Sequence, residues 1–94
     1  MQQMAAVPVG SSVAECEAYL TCIKISNLSA RSIHINVPGI YSTWLIPGYM
    51  QAIQHSSYGQ KQVVLTNVDN QIFFNAYVPR HFGLDVKYDS ITVK

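Results

Sequence analysis

Apolar and polar residues alternate with a period of two along most of this chain. The clearest run is Ser32 to Val37: Ile33, Ile35 and Val37 fall on one face, and Ser32, His34 and Asn36 on the other. That pattern predicts a half-buried strand. Tyr19 to Ser26 predicts another, with Ile23 and Ile25 sharing a face. Pro38-Gly39 ends the Ser32 strand, and Tyr41 to Ile46 forms the next. Pro47-Gly48 fits a type II turn, because proline presets φ and glycine accepts a positive one. Tyr49 to His55 follows as a strand, then a loop at Ser56 to Gln60. Gln62 to Asn67 contains Val63-Val64-Leu65, a continuous apolar run that predicts burial on both faces. In Ile72 to Val78 the alternation puts Ile72, Phe74, Ala76 and Val78 together. Leu84 to Tyr88 alternates again, and the phase change at Ile91 and Val93 predicts a bulge or bend at Asp89-Ser90.

Roughly seven or eight short strands, spaced about 8–12 residues apart, predict an all-β fold: an antiparallel sandwich or small barrel. No spacing is long enough for a βαβ crossover, which excludes a parallel sheet. Ile33, Ile35, Leu65, Phe74 and Val86 are the expected core. Residues 13–94 read as one β domain behind an N-terminal arm, residues 1–12. Ser12-Val13-Ala14-Glu15 fits a capping box, so a short helix near residues 13–18 competes with a continued β-arm. Met4, Val7 and Val9 make the arm apolar. Their burial, at about 1.5–3 kcal/mol each, nearly cancels the entropy of ordering the segment. The arm is therefore expected to be loose in a lone chain and to settle on a partner.

Charge changes the picture. Asp, Glu, Lys and Arg make up 12% of the chain, about half the usual share. Ser32 to Gln60 has none of them. A solvated monomer normally covers itself with charge, so this surface suits partners or an extracellular setting. The net charge of +1 and the scattered basic residues disfavour nucleic acid. No apolar run reaches the ~18 residues of a membrane-spanning helix. Met1 to Ala6 lacks the basic and long apolar regions of a signal peptide, so the chain is expected in the cytoplasm, or after loss of a leader.

The string Ile23-Lys24-Ile25-Ser26-Asn27-Leu28-Ser29-Ala30-Arg31-Ser32-Ile33-His34-Ile35, followed by Leu45-Ile46-Pro47-Gly48 and another strand, resembles a pattern in small β-sandwich accessory proteins of tailed-phage virions. There, a strand, an Asn-x-Ser turn and an Arg-x-Ile strand precede a Pro-Gly turn. The resemblance implies an accessory role such as capsid decoration. It supplies no site residues.

Chemistry is sparse. Cys16 and Cys22, six residues apart, would stand about 20 Å apart in an extended chain, beyond the ~7 Å Cα limit of a disulfide. Two free thiols are expected. His34, His55 and His81 have neither His-x-His spacing nor an adjacent Cys, so they read as surface or turn residues rather than metal ligands. Asp85 and Asp89 would stand about 13 Å apart on a strand, too far for a glycosidase pair. No nucleophile motif is present. Trp44 is expected in the core or its rim. Of Tyr41, Tyr49, Tyr58 and Tyr77, about half are expected outward as interaction residues. Asn27-Leu28-Ser29 spells a glycosylation sequon and is read here as a turn.

These readings converge on a non-enzymatic structural protein without cofactors or metals. It would be a homo-oligomeric virion component, assembled in the host cytoplasm and acting through protein–protein contacts. Met4, Val7, Val9, Tyr41, Tyr49 and Tyr58 are the expected interaction residues. The competing reading is a secreted carbohydrate- or ligand-binding β-sandwich that uses outward tyrosines.

Overall fold

The computed structural model describes residues 6–11, 22–54, 59–79, 81–87 and 90–93. The described residues form nine strands: β1 Val7–Pro8, β2 Cys22–Asn27, β3 Ile33–Val37, β4 Tyr41–Leu45, β5 Tyr49–Gln54, β6 Lys61–Thr66, β7 Ile72–Val78, β8 Gly83–Lys87 and β9 Ser90–Val93. They build two packed sheets, of order β1-β5-β2-β8-β9 and β4-β3-β6-β7. The fold is a small β-sandwich, not a closed barrel.

The alternating residues of both sheets meet in the middle, as burial of one face per sheet requires. Ile23, Ile25, Ile53, Leu84 and Val86 come from the five-stranded sheet; Ile33, Ile35, Val37, Leu45, Val63 and Leu65 come from the other. Of the expected core, Ile33, Ile35, Leu65 and Val86 are buried, while Phe74 is half-buried against the same cluster.

Four expectations are corrected. β2 and β8 pair in parallel, Ile25 opposite Leu84. The sandwich permits this because the chain runs through the other sheet between them, which supplies the long crossover that parallel neighbours need. Val64 is half-buried rather than buried on both faces; only Val63 and Leu65 point to the core. The phase change after β8 is a chain reversal, because β8 and β9 pair antiparallel with Lys87 opposite Ser90. Lastly, Cys22 is disulfide-bonded, and the chain's other cysteine is Cys16. The reasoning for free thiols assumed an extended chain between the two cysteines, and residues 12–21 lie outside the described residues. Cys16 and the helix considered near residues 13–18 lie outside the described residues.

Two Pro-Gly pairs flank β4. At the first, Ile40 N donates to Val37 O at 2.9 Å. At the second, Tyr49 N donates to Ile46 O at 3.3 Å, and Gly48 takes a φ of 82°. That is the positive φ a type II turn needs after its proline. This second turn lifts the chain from β4 in one sheet to β5 in the other.

Asn27 secures the corner. It closes β2, and its side chain is fully buried. Its Nδ2 donates to Arg31 O at 2.8 Å and to Leu45 O at 2.9 Å. Its Oδ1 accepts from Ser29 N at 3.0 Å and Ser29 Oγ at 2.6 Å. Both amide hydrogens and both acceptor positions are used. The backbone joins in: Gly48 N donates to Asn27 O, and Leu28 N to Val86 O, each at 2.8 Å. Asn27→Ala leaves two carbonyls and a backbone N–H without this partner, so we expect a loss of about 2–4 kcal/mol. Urea denaturation checks it; a loss below about 1 kcal/mol would remove Asn27 from this role.

Candidate functional site

The two sheets present different outer faces. Residues opposite one another on paired strands share a face. On the five-stranded sheet the face away from the core carries Lys24 beside Ala52 and Gly83, and Asp85 beside Ser26. The outer face of the four-stranded sheet carries no charge. Its first row runs Trp44, His34, Thr66, Ile72 from β4 to β7; its second runs Ser42, Asn36, Val64, Asn75. Gln62 and Tyr77 add a third pair.

Large apolar groups on this face stand in water. Trp44 is 54% exposed, Ile72 62%, Tyr77 63% and Phe73 36%. Trp44 meets its cross-strand neighbour His34 edge to face, with ring centroids 5.0 Å apart. Amides sit between the rings: Gln62 Nε2 donates to Asn75 Oδ1 at 2.9 Å. Arg31 and Asp69 face one another at 4.0 Å, both well exposed, so they add little to stability.

A bulge shapes the far end of the face. Leu65 is opposite Phe74, but Thr66 is opposite Ile72, so Phe73 is the extra residue. Unbroken alternation predicts Ile72 inward. The bulge instead sets it beside Thr66 on the outer face. The β6–β7 loop is tied by Asn67, whose Oδ1 accepts from Asp69 N at 3.0 Å and Gln71 N at 2.9 Å. Asn70 takes a φ of 63° there, a conformation asparagine tolerates.

Of the expected interaction residues, Val7, Val9 and Tyr49 lie away from this face. Val7 is half-buried and Val9 exposed. Both belong to the β1 edge, where Val7 pairs with Met50, Pro8 with Tyr49, and Val9 N donates to Gly48 O at 3.0 Å. The described part of the arm thus pairs with its own domain. The pairing stands because β5 offers it an open edge. Tyr49 is half-buried against the core. Tyr41 lies in β4 opposite Val37, on the other sheet. Met4, Tyr58 and His55 lie outside the described residues.

Trp44 is also corrected, from core to surface. Its signal was present: with His34 outward and the Pro38-Gly39 turn fixing the register, the residue opposite His34 must be outward too. His81 sits in a turn at a φ of 70°. Among the described residues no three His, Cys, Asp or Glu side chains cluster as a metal site. Among them, too, no helix is long and apolar enough to cross a membrane. No family model, curated protein or solved structure matches the chain.

Trp44 is the sole tryptophan, so its fluorescence reports directly on this face. We expect emission typical of a solvated indole and ready quenching by acrylamide. Trp44→Ser should cost at most about 1 kcal/mol, the scale of one aromatic contact at an exposed site. A blue-shifted, shielded emission would return Trp44 to the interior.

Proposed function

We propose that this chain is a non-enzymatic assembly protein, an accessory component of a virion that binds the particle shell through the outer face of its four-stranded sheet. The observation that carries the reading is the segregation of charge. Lys24 and Asp85 belong to the opposite face, while the Trp44 and Tyr77 rows hold none. Interface centres are depleted in charge and enriched in Trp, Tyr and Phe, and Trp and Tyr are favoured hot spots. An uncharged face also commits the partner, since a strongly charged surface docked here would lose its water and gain no ion pair. The disulfide at Cys22 suits a particle that meets an oxidising medium. The strand–turn–strand pattern shared with phage accessory proteins adds the virion setting.

The same face supports a second reading. An exposed indole flanked by the amides of Asn36, Gln62 and Asn75 could stack on a neutral sugar and bond its hydroxyls. Titrating Trp44 fluorescence with chitotetraose and cellotetraose separates the two.

Quantitative mass spectrometry of virus particles banded from the source culture tests the main reading. The chain is expected in many copies per particle. Trp44→Ser should lower that copy number at least about tenfold, as loss of a hot-spot side chain does. A chain recovered only outside particles overturns the virion reading, and a saturating fluorescence change with either oligosaccharide favours the second.

A further inference from the structure

We propose that His34 makes attachment through this face acid-labile: the face docks while the imidazole is neutral and lets go when the imidazole takes up a proton. The inference deepens the assembly reading, on which it rests, by naming how that same face is regulated.

His34 lies on β3, an inner strand of the four-stranded sheet, between Trp44 of β4 and Thr66 of β6, with Ile72 of β7 beyond. It is half-buried in the single chain, so a partner on this face covers it. Histidine is the side chain that changes charge between about pH 5 and 8. Among the described residues of the three outer rows, His34 alone becomes a cation in that range; Tyr77, the other titratable group there, never becomes one.

Nothing on the face is placed to balance that cation. β4 brings Trp44 and Ser42 beside β3, and β6 brings Thr66 and Val64, none of them charged. Lys61, at the far end of β6, alternates with the inward Val63 and Leu65. Past the first row, Arg31 ahead of β3 and Asp69 in the β6–β7 loop face one another at 4.0 Å, so their charges largely cancel. The ring contact of His34 is Trp44, at 5.0 Å between centroids and 61° between planes. An indole attracts a cation, but that attraction exists before docking as well as after.

Docking replaces the water at His34 with the uncharged surface that this face selects. The protonated ring then loses its solvation and gains no counter-charge, whereas the neutral ring loses far less. Docking therefore expels the proton, and by linkage the proton opposes docking. The sign follows: attachment is full where the imidazole is neutral and falls as pH drops through its titration, by up to about tenfold per pH unit for one expelled proton.

Two measurements on the full chain test this. In the isolated protein, Trp44 fluorescence should fall between about pH 8 and pH 5 along a one-proton curve, because a protonated imidazole quenches a neighbouring indole; in His34→Gln it should stay flat. Virus particles banded from the source culture are then washed at about pH 7.5 and about pH 5.5, and the retained chain is counted by mass spectrometry. We expect the wild-type chain to fall at least about tenfold at the lower pH and His34→Gln to be retained at both. His81→Asn, altered in a turn on the other sheet, should behave as wild type. His34→Asn repeats the experiment should glutamine disturb folding, and the wild-type fluorescence curve stands without either variant. A flat wild-type curve, a His34→Gln chain shed like wild type, or a wild-type chain retained at both pH values overturns the inference and leaves the assembly reading standing. So does a circular dichroism spectrum lost at pH 5.5, since release would then follow from unfolding. A chain absent from particles at pH 7.5 overturns the assembly reading and this inference with it.

Discussion

A sandwich has to carry its chain between layers without stranding backbone polar groups away from water. Here one side-chain amide serves two crossings at once. Asn27 closes β2, and its Nδ2 reaches both the β2–β3 connection at Arg31 O and the end of β4 at Leu45 O. Its own carbonyl takes the N–H of Gly48, in the turn that leads to β5. Loops that would otherwise be held only by packing are bonded to one buried group. The inner rows depend on this arrangement. Ile25 and Leu45 both belong to the core that these corners enclose.

Away from the core the two sheets differ: Cys22, Ser26, Met50 and Ala52 of the five-stranded sheet are buried, while Trp44, Ile72 and Tyr77 of the four-stranded sheet are exposed. Either face of a sandwich can be polar, and in most monomers both carry charge. Among the described residues the outer rows of the four-stranded sheet hold no charge, while Lys24 and Asp85 lie on the other sheet. The four-stranded sheet keeps Trp44, Ile72 and Tyr77 in water, an arrangement that gives up solubility for contact area.

Much of this was legible from alternation and turn chemistry. β3, β4 and the two Pro-Gly turns lie where the pattern puts them, because β-branched alternation and a glycine of positive φ are local signals. The sandwich class followed from strand spacing. What escaped was non-local or one residue wide. The parallel β2–β8 pair joins residues from opposite ends of the chain, and period-two patterning says nothing of which strands become neighbours. The bulge at Phe73 moves Ile72 to the other face, yet Phe73-Phe74 reads as ordinary alternation. The outward Trp44 was legible through its hairpin partner but lost to the expectation that a large ring is buried. The pairing of Val7 and Pro8 with β5 is likewise non-local and left no mark on the sequence pattern.

The parallel pair bears on the order in which the fold can close. Asn27 lies opposite Val86, and Leu28 N bonds Val86 O. Loop-closing contacts of such sequence separation form late, and on a ribosome they wait for the end of the chain. Until then Asn27 has no roof, and it heads the tripeptide Asn27-Leu28-Ser29, an acceptor for N-linked sugar. In the finished molecule its amide nitrogen has both hydrogens committed, so folding and glycosylation exclude each other. Made in a secretory pathway that carries the glycosylating enzyme, the chain would meet the transferase while the site is open. A glycan attached then would occupy the corner that β4 and the Gly48 turn must close.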